Sequence, residues 1–158
     1  MKYALRAPLF AALLLAFSVV SLAAAADETS DLAIFIRANY TKYEYRIPMR
    51  DGARLFTSVH VPKDAGPGML YPILLTRTPY ACDPYGADTH DSTLGPSEHF
   101  ARAKYIFVSQ DVRGRFMSEG EFVDVRPHNP GKTGTGIDES SDTWDTIDWL
   151  VKHVKGNN

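Results

Sequence analysis

Arg77-Thr78-Pro79-Tyr80 is the stretch whose residue types come nearest to a mechanism. It follows an apolar run, Pro72 to Thr76, that reads as a strand. In α/β sheets the carboxyl ends of strands line the ligand crevice. Pro79 holds Thr78 extended, so Tyr80 opens the next loop with a phenol able to donate to a developing oxyanion. On the residues alone, a tyrosine that packs against its neighbours is the simpler reading. Other texts stop short of chemistry. Gly95-Pro96-Ser97-Glu98-His99 lacks the second glycine of a nucleophile elbow and opens a helix. Gly131-Lys132-Thr133 ends like a phosphate loop, but Arg126 stands where its first glycine belongs and no hydrophobic strand precedes it. His60, His90, His99, His128 and His153 have no metal-ligand spacing and read as surface or loop residues. Cys82, the single cysteine, reads as a small, partly buried side chain, because no histidine partner for a thiolate is identifiable. No metal or cofactor is expected.

The periodicities around these residues supply a frame. Asp31 to Asn39 fits a short helix or a strand, and its pattern leaves both open. Tyr43 to Arg50 alternates as a strand, Asp51-Gly52 is a hairpin turn, and Arg54 to Val61 alternates again. In that second strand Leu55, Thr57, Val59 and Val61 share one face, and Phe56, Ser58 and His60 the other. The unbroken apolar run at Pro72 to Thr76 predicts a strand covered on both faces. A long Pro-, Gly- and Asp-rich loop, Arg77 to Gly95, is of a length more often functional than idle. Pro96 to Ala103 reads as a short helix and Tyr105 to Ser109 as a second buried strand. A charged turn covers Asp111 to Gly120, and a surface loop Arg126 to Gly136.

The last element, Asp138 to Val154, is a helix whose spacing puts Trp144, Ile147, Leu150 or Val151, and Val154 on its core face. Its early acids suit the helix dipole and read as a solvated face. Asp138, Ser140 or Ser141 can cap it, and no Ser/Thr-x-x-Glu capping box is present. Hairpin, buried strand, helix, buried strand, helix is how an α/β sheet begins.

Composition bounds the rest. The 158 residues are 44% hydrophobic and 23% charged, a globular balance. Lys plus Arg number 17 against 19 Asp plus Glu, so nucleic acid is an unsuitable partner. Lys2 and Arg6 precede an apolar stretch, and Ala23 to Ala26 offer small residues for cleavage. Residues 1–25 therefore read as a signal peptide rather than an uncleaved anchor. Export to the periplasm or outside the cell follows, with no stable membrane anchor after cleavage.

Four blocks, YRIPMRDGARLFTSVHVP, YPILLTRTPY, YIFVSQDVRGRFMSEGEF and DTWDTIDWLVKHVKGNN, resemble the N-terminal part of the cocaine esterase / X-prolyl dipeptidyl-peptidase / α-amino acid ester hydrolase family. The loop at Arg126 to His128 and the helix after it look most like the α-amino acid ester hydrolase and glutaryl-acylase-like branch. The resemblance implies an α/β-hydrolase fold and a Ser-His-Asp acyl-transfer mechanism on small ester, amide or short peptide substrates. It gives Tyr80 the role of oxyanion-hole hydroxyl donor, and Gln110-Asp111-Val112-Arg113-Gly114 a structural role in fixing the turn after its strand. It divides the chain into the signal peptide, a lead segment at 26–42 and the N-terminal part of the hydrolase domain at 43–158. In the family the nucleophile elbow begins just after the GNN at 156–158. The serine, acid and histidine are thus expected beyond this chain, leaving an incomplete sheet that is inactive alone. A non-catalytic secreted binding module is the alternative.

Overall fold

A computed structural model describes residues 30–158. The signal-peptide reading lies outside those residues. Helix α1 (Asp31–Asn39) starts at Ser30, whose side chain accepts from Ala33 N at 3.2 Å. Of the two conformations the sequence left open, burial of Ala33 and Ile36, three apart, goes with the helix. The chain then runs β1 (Tyr40–Pro48), β2 (Arg54–Pro62), β3 (Ile73–Thr78), α2 (Glu98–Arg102), β4 (Ile106–Asp111) and α3 (Glu139–His153). The four strands form one sheet in the order β1-β2-β4-β3. β1 and β2 pair antiparallel in register Tyr40 with Pro62 through Pro48 with Arg54. β2 and β4 are antiparallel, and β3 and β4 parallel. The hairpin turns where Asp51-Gly52 predicts, with Gly52 at φ +90 and its N–H on Met49 O at 2.9 Å.

On one face of the sheet Ile47, Leu55, Val59, Ile106 and Val108 pack against Leu150 and Val154 of α3. On the other, Ile36 and Tyr40 meet Leu94, Ala101 and Phe107. The buried Tyr40 hydroxyl donates to Ala101 O at 2.8 Å.

Several expectations are corrected. β2 is covered on both faces, so His60 is a buried strand residue rather than a surface one. β3 is only half-buried, and among the described residues β4 is its one neighbour in the sheet. The largest correction concerns α3. Trp144, Ile147 and Val151 are exposed, Trp144 at 68%, while Ser141, Asp142, Thr146, Leu150 and Val154 are buried. Polar pairs set the helix's rotation. Arg113 bonds Asp142 through Nε at 2.9 Å and Nη2 at 2.7 Å, and Gln110 Nε2 donates to Thr146 Oγ1 at 2.9 Å. Arg77 Nη1 reaches Glu139 Oε2 at 2.8 Å, and Arg50 grips Asp145 through Nε and Nη2. The early acids are therefore bound rather than solvated. The helix also has a reciprocal capping box: Asp138 Oδ1 accepts from Ser141 N, and Ser141 Oγ accepts from Asp138 N, both at 2.8 Å.

Candidate functional site

The tip of β3 and the end of β4 form one bonded unit. Val112 N donates to Thr78 O at 3.1 Å, tying the two strand ends together. Beyond them each flank of Tyr80 is held. Tyr80 N donates to Thr78 Oγ1 at 3.0 Å, Arg115 Nε to Pro79 O at 3.1 Å, and Cys82 N to Asp111 Oδ1 at 2.9 Å. Between the last two sits Ala81 at φ 47, a left-handed conformation that L residues rarely adopt. Tyr80 itself is 81% exposed, and no hydroxyl partner is found for it among the described residues.

Asp111 is fully buried. Its second carboxylate oxygen accepts from the Tyr85 hydroxyl at 3.0 Å and from Met117 N at 3.2 Å. Burial, reinforced by the Asp111 charge, pushes the Tyr85 phenol upward. The Cys82 thiol is raised to about 12, first by burial and then by Asp111. It is therefore a protonated packing residue at neutral pH, and no thiolate is on offer.

The rest of the long loop is bolted to the hairpin. Lys42, buried, donates from Nζ to Pro84 O and to Gly86 O, the latter at 3.2 Å. Glu44 Oε1 accepts from Gly86 N at 2.6 Å. His60 Nε2 lies 3.0 Å from Asp91 Oδ2, without the angle of a hydrogen bond. Between loop and sheet is a cavity of about 680 Å³ whose floor includes Ser58, His60, Thr76 and Phe107. The buried Ser58 hydroxyl has no partner among the described residues.

Of the residues singled out in the sequence, Tyr80, Cys82 and Asp111 come together around this tip, while the Arg113 side chain turns to Asp51 and Asp142 on the α3 side. The retained Gln110 to Gly114 block does fix the turn, and Gly114 has φ +69 where a Cβ would lie 2.2 Å from Phe122 N. Ser97, the N-cap of α2, and His99 on its exposed side stand apart. Lys132 of the rejected phosphate-loop text binds Asp138 at 2.7 Å, and His153 stacks on Trp149. Sequence reasoning missed the arginine-gripping face of α3. Its signal was the spacing of Glu139, Asp142 and Asp145 in threes beside Thr146, which puts acids and a hydroxyl on adjoining stripes.

The sequence pattern of the X-Pro dipeptidyl-peptidase family (S15 family) matches residues 51–158, from the hairpin turn through the tip to the last residue. The chain belongs to this family. Members of the X-Pro dipeptidyl-peptidase family are serine hydrolases of the esterase and dipeptidyl-peptidase type. This chain is 37% identical over 108 residues to the cocaine esterase of Rhodococcus sp. (strain MB1 Bresler), covering 68% of this chain and 16% of the esterase. Two solved structures are similar at a TM-score of 0.64 and 40% identity, an aminopeptidase from the marine sediment archaeon Thaumarchaeota archaeon and an α-amino acid ester hydrolase. Each match covers 76% of this chain and 20% of the solved one. The chain thus spans a fifth or less of the length of these relatives. Its sheet and helices correspond to an N-terminal portion of an α/β-hydrolase sheet.

Proposed function

We propose that this chain is the N-terminal part of an exported serine hydrolase that cleaves ester or amide bonds in small or short-peptide substrates, and that it supplies a hydrogen-bond donor to the oxyanion. Residues 1–25 direct export, 26–42 lead in, and 43–158 belong to the hydrolase domain. The Ser-His-Asp triad resides in parts of such a hydrolase other than residues 1–158. The serine adds to the carbonyl carbon, an acyl-enzyme forms, and water releases it. The Tyr80 hydroxyl donates to the carbonyl oxygen as negative charge gathers there.

The observation that carries this reading is the environment of Tyr80. A packing tyrosine buries its ring, whereas this one is 81% exposed at a strand tip, with Pro79 O, Tyr80 N and Cys82 N around it all bonded. Donation that strengthens in the transition state acts on kcat more than on KM. In a hydrolase carrying both this segment and the triad, Tyr80→Phe should lower kcat by about 10²–10³ with KM and Tm nearly unchanged. A kcat within about threefold of the parent sinks the assignment. Residues 1–158 alone should show no labelling by a fluorophosphonate, since labelling needs an activated serine.

The second reading, a non-catalytic secreted binding module, draws on the 680 Å³ cavity and its unpartnered Ser58. It predicts saturable binding of a small ligand by this chain and no change in that binding on Tyr80→Phe.

A further inference from the structure

We infer that Asp111 is the positioning residue of this site: its buried carboxylate clamps the strained Ala81 corner and so sets the direction in which the Tyr80 phenol leaves the sheet. The inference rests on the oxyanion reading of Tyr80, and its test does not. An exposed ring with no hydroxyl partner does little to orient itself, so the backbone on either side must aim it. That backbone bends through Ala81 at φ 47. An alanine left to itself drifts out of this region, because its Cβ crowds the carbonyl. The bond next to the corner that opposes this drift is Cys82 N to Asp111 Oδ1, 2.9 Å.

Asp111 can hold the corner because it is itself immobile. It ends the inner strand β4, paired to Thr78. Its carbonyl accepts from Ser118 Oγ at 2.6 Å, and that same Oγ accepts from Phe56 N of β2 at 2.8 Å. The carboxylate receives three donors from two segments: Cys82 N and the Tyr85 hydroxyl from the loop, and Met117 N from the turn after β4. Asp138 offers a contrast, since its partners Asn129 N, Lys132, Ser140 and Ser141 N all belong to its own loop and cap. Asp111 instead ties the Tyr80 loop to the body of the sheet. Three donors require a carboxylate, because an amide offers one acceptor oxygen and adds a donor.

The test uses the full chain, labelled for NMR, with amide exchange as a second readout. In Asp111→Asn, Cys82 N–H should exchange about tenfold faster or more, and the Ala81 coupling and carbon shifts should leave the positive-φ pattern, while β4 amides stay protected. Ala81→Gly should leave Cys82 protected, since glycine holds positive φ without strain. The double variant should then return the Tyr80 amide shift toward that of Ala81→Gly alone, while Cys82 N–H, still without its acceptor, stays fast to exchange. A carboxylate that only stabilises the fold would not be rescued there. If Asp111→Asn alone does not fold, rescue of folding in the double variant is the supporting result, and failure of that rescue overturns the clamp. Unchanged Cys82 exchange and an unchanged Ala81 pattern in folded Asp111→Asn overturn it equally. None of these readouts needs turnover, so an unaltered kcat in Tyr80→Phe would refute the oxyanion reading and leave the clamp standing.

Discussion

The two faces of the sheet share the same strands and each buries an apolar cluster, but their polar groups fasten different things. Beneath α3, Leu55, Val59, Ile106 and Val108 bury against Leu150 and Val154, and Arg113, Arg77 and Arg50 pin the helix by its acids. Beneath the long loop, the β1 and β2 side chains include Lys42, Glu44, Ser58 and His60 beside the aromatic rings of Tyr40 and Phe56, with Asp111 at the end of β4. Apolar area is non-directional and scales with the surface removed from water. Hydrogen bonds to chosen carbonyls and amides fix particular atoms. Both faces therefore gain stability from buried apolar area, and the second also holds a loop in one place and leaves a cavity beneath it. The difference teaches that the tip residues depend on polar placement more than on packing.

The sharpest break of this contrast is Arg113→Ala. Arg113 is buried between Asp51 and Asp142, and its loss leaves the Asp142 carboxylate, 1% exposed, without its hydrogen-bonded partner and with Arg77 Nη2 3.9 Å away. Breaking a buried pair from one side costs about 3–5 kcal/mol, so chemical denaturation should show a loss of that size.

Acid comes next. Asp51 would be raised by burial, but bonds from Arg113 outweigh this and hold it below its ordinary value. Asp145 behaves likewise through Arg50, and Asp138 is held far down, chiefly by Lys132. Carboxyls lowered in the folded state contribute stability above the unfolded value, roughly pH 4, and lose it as pH falls through the folded values. Tm should be flat from neutral pH to about 5 and drop below 4, with a shallower drop in Arg113→Ala. A Tm that rises on acidification would contradict these pairs.

A smaller effect separates the two sides of α3. Thr146→Val keeps the shape but removes the Gln110 partner, at about 1–3 kcal/mol. Trp144→Gln, on the face that periodicity assigns to the core, should stay within about 0.5 kcal/mol. Equal losses by urea melts would restore the periodicity assignment. Smallest of all, Ser58→Ala deletes an unpartnered buried hydroxyl and should be neutral or slightly stabilising. A clear destabilisation would mean that Ser58 has a partner in solution.

Much of the fold is legible in the chain. Alternation at Arg54 to Val61, Asp51-Gly52 and the run at Pro72 to Thr76 determine the hairpin and the strand leading to Tyr80, because these are local preferences of backbone and side chain. The family blocks likewise pointed to the turn at Gln110 to Gly114, where Val112 N bonds Thr78 O and Gly114 N bonds Glu119 O. The rotation of α3 was not legible. Helical periodicity measures only where apolar residues fall, and here Asp142 and Thr146 face inward because arginine and glutamine side chains from β3, β4 and the turn beyond wait there. Nor could spacing show that Asp111, 29 residues from Cys82, closes on its amide. Local sequence decided the elements. Which polar groups are buried together, and hence where the Tyr80 phenol points, was decided only when the strands brought distant donors and carboxylates within bonding distance, where leaving either one unpaired is costly.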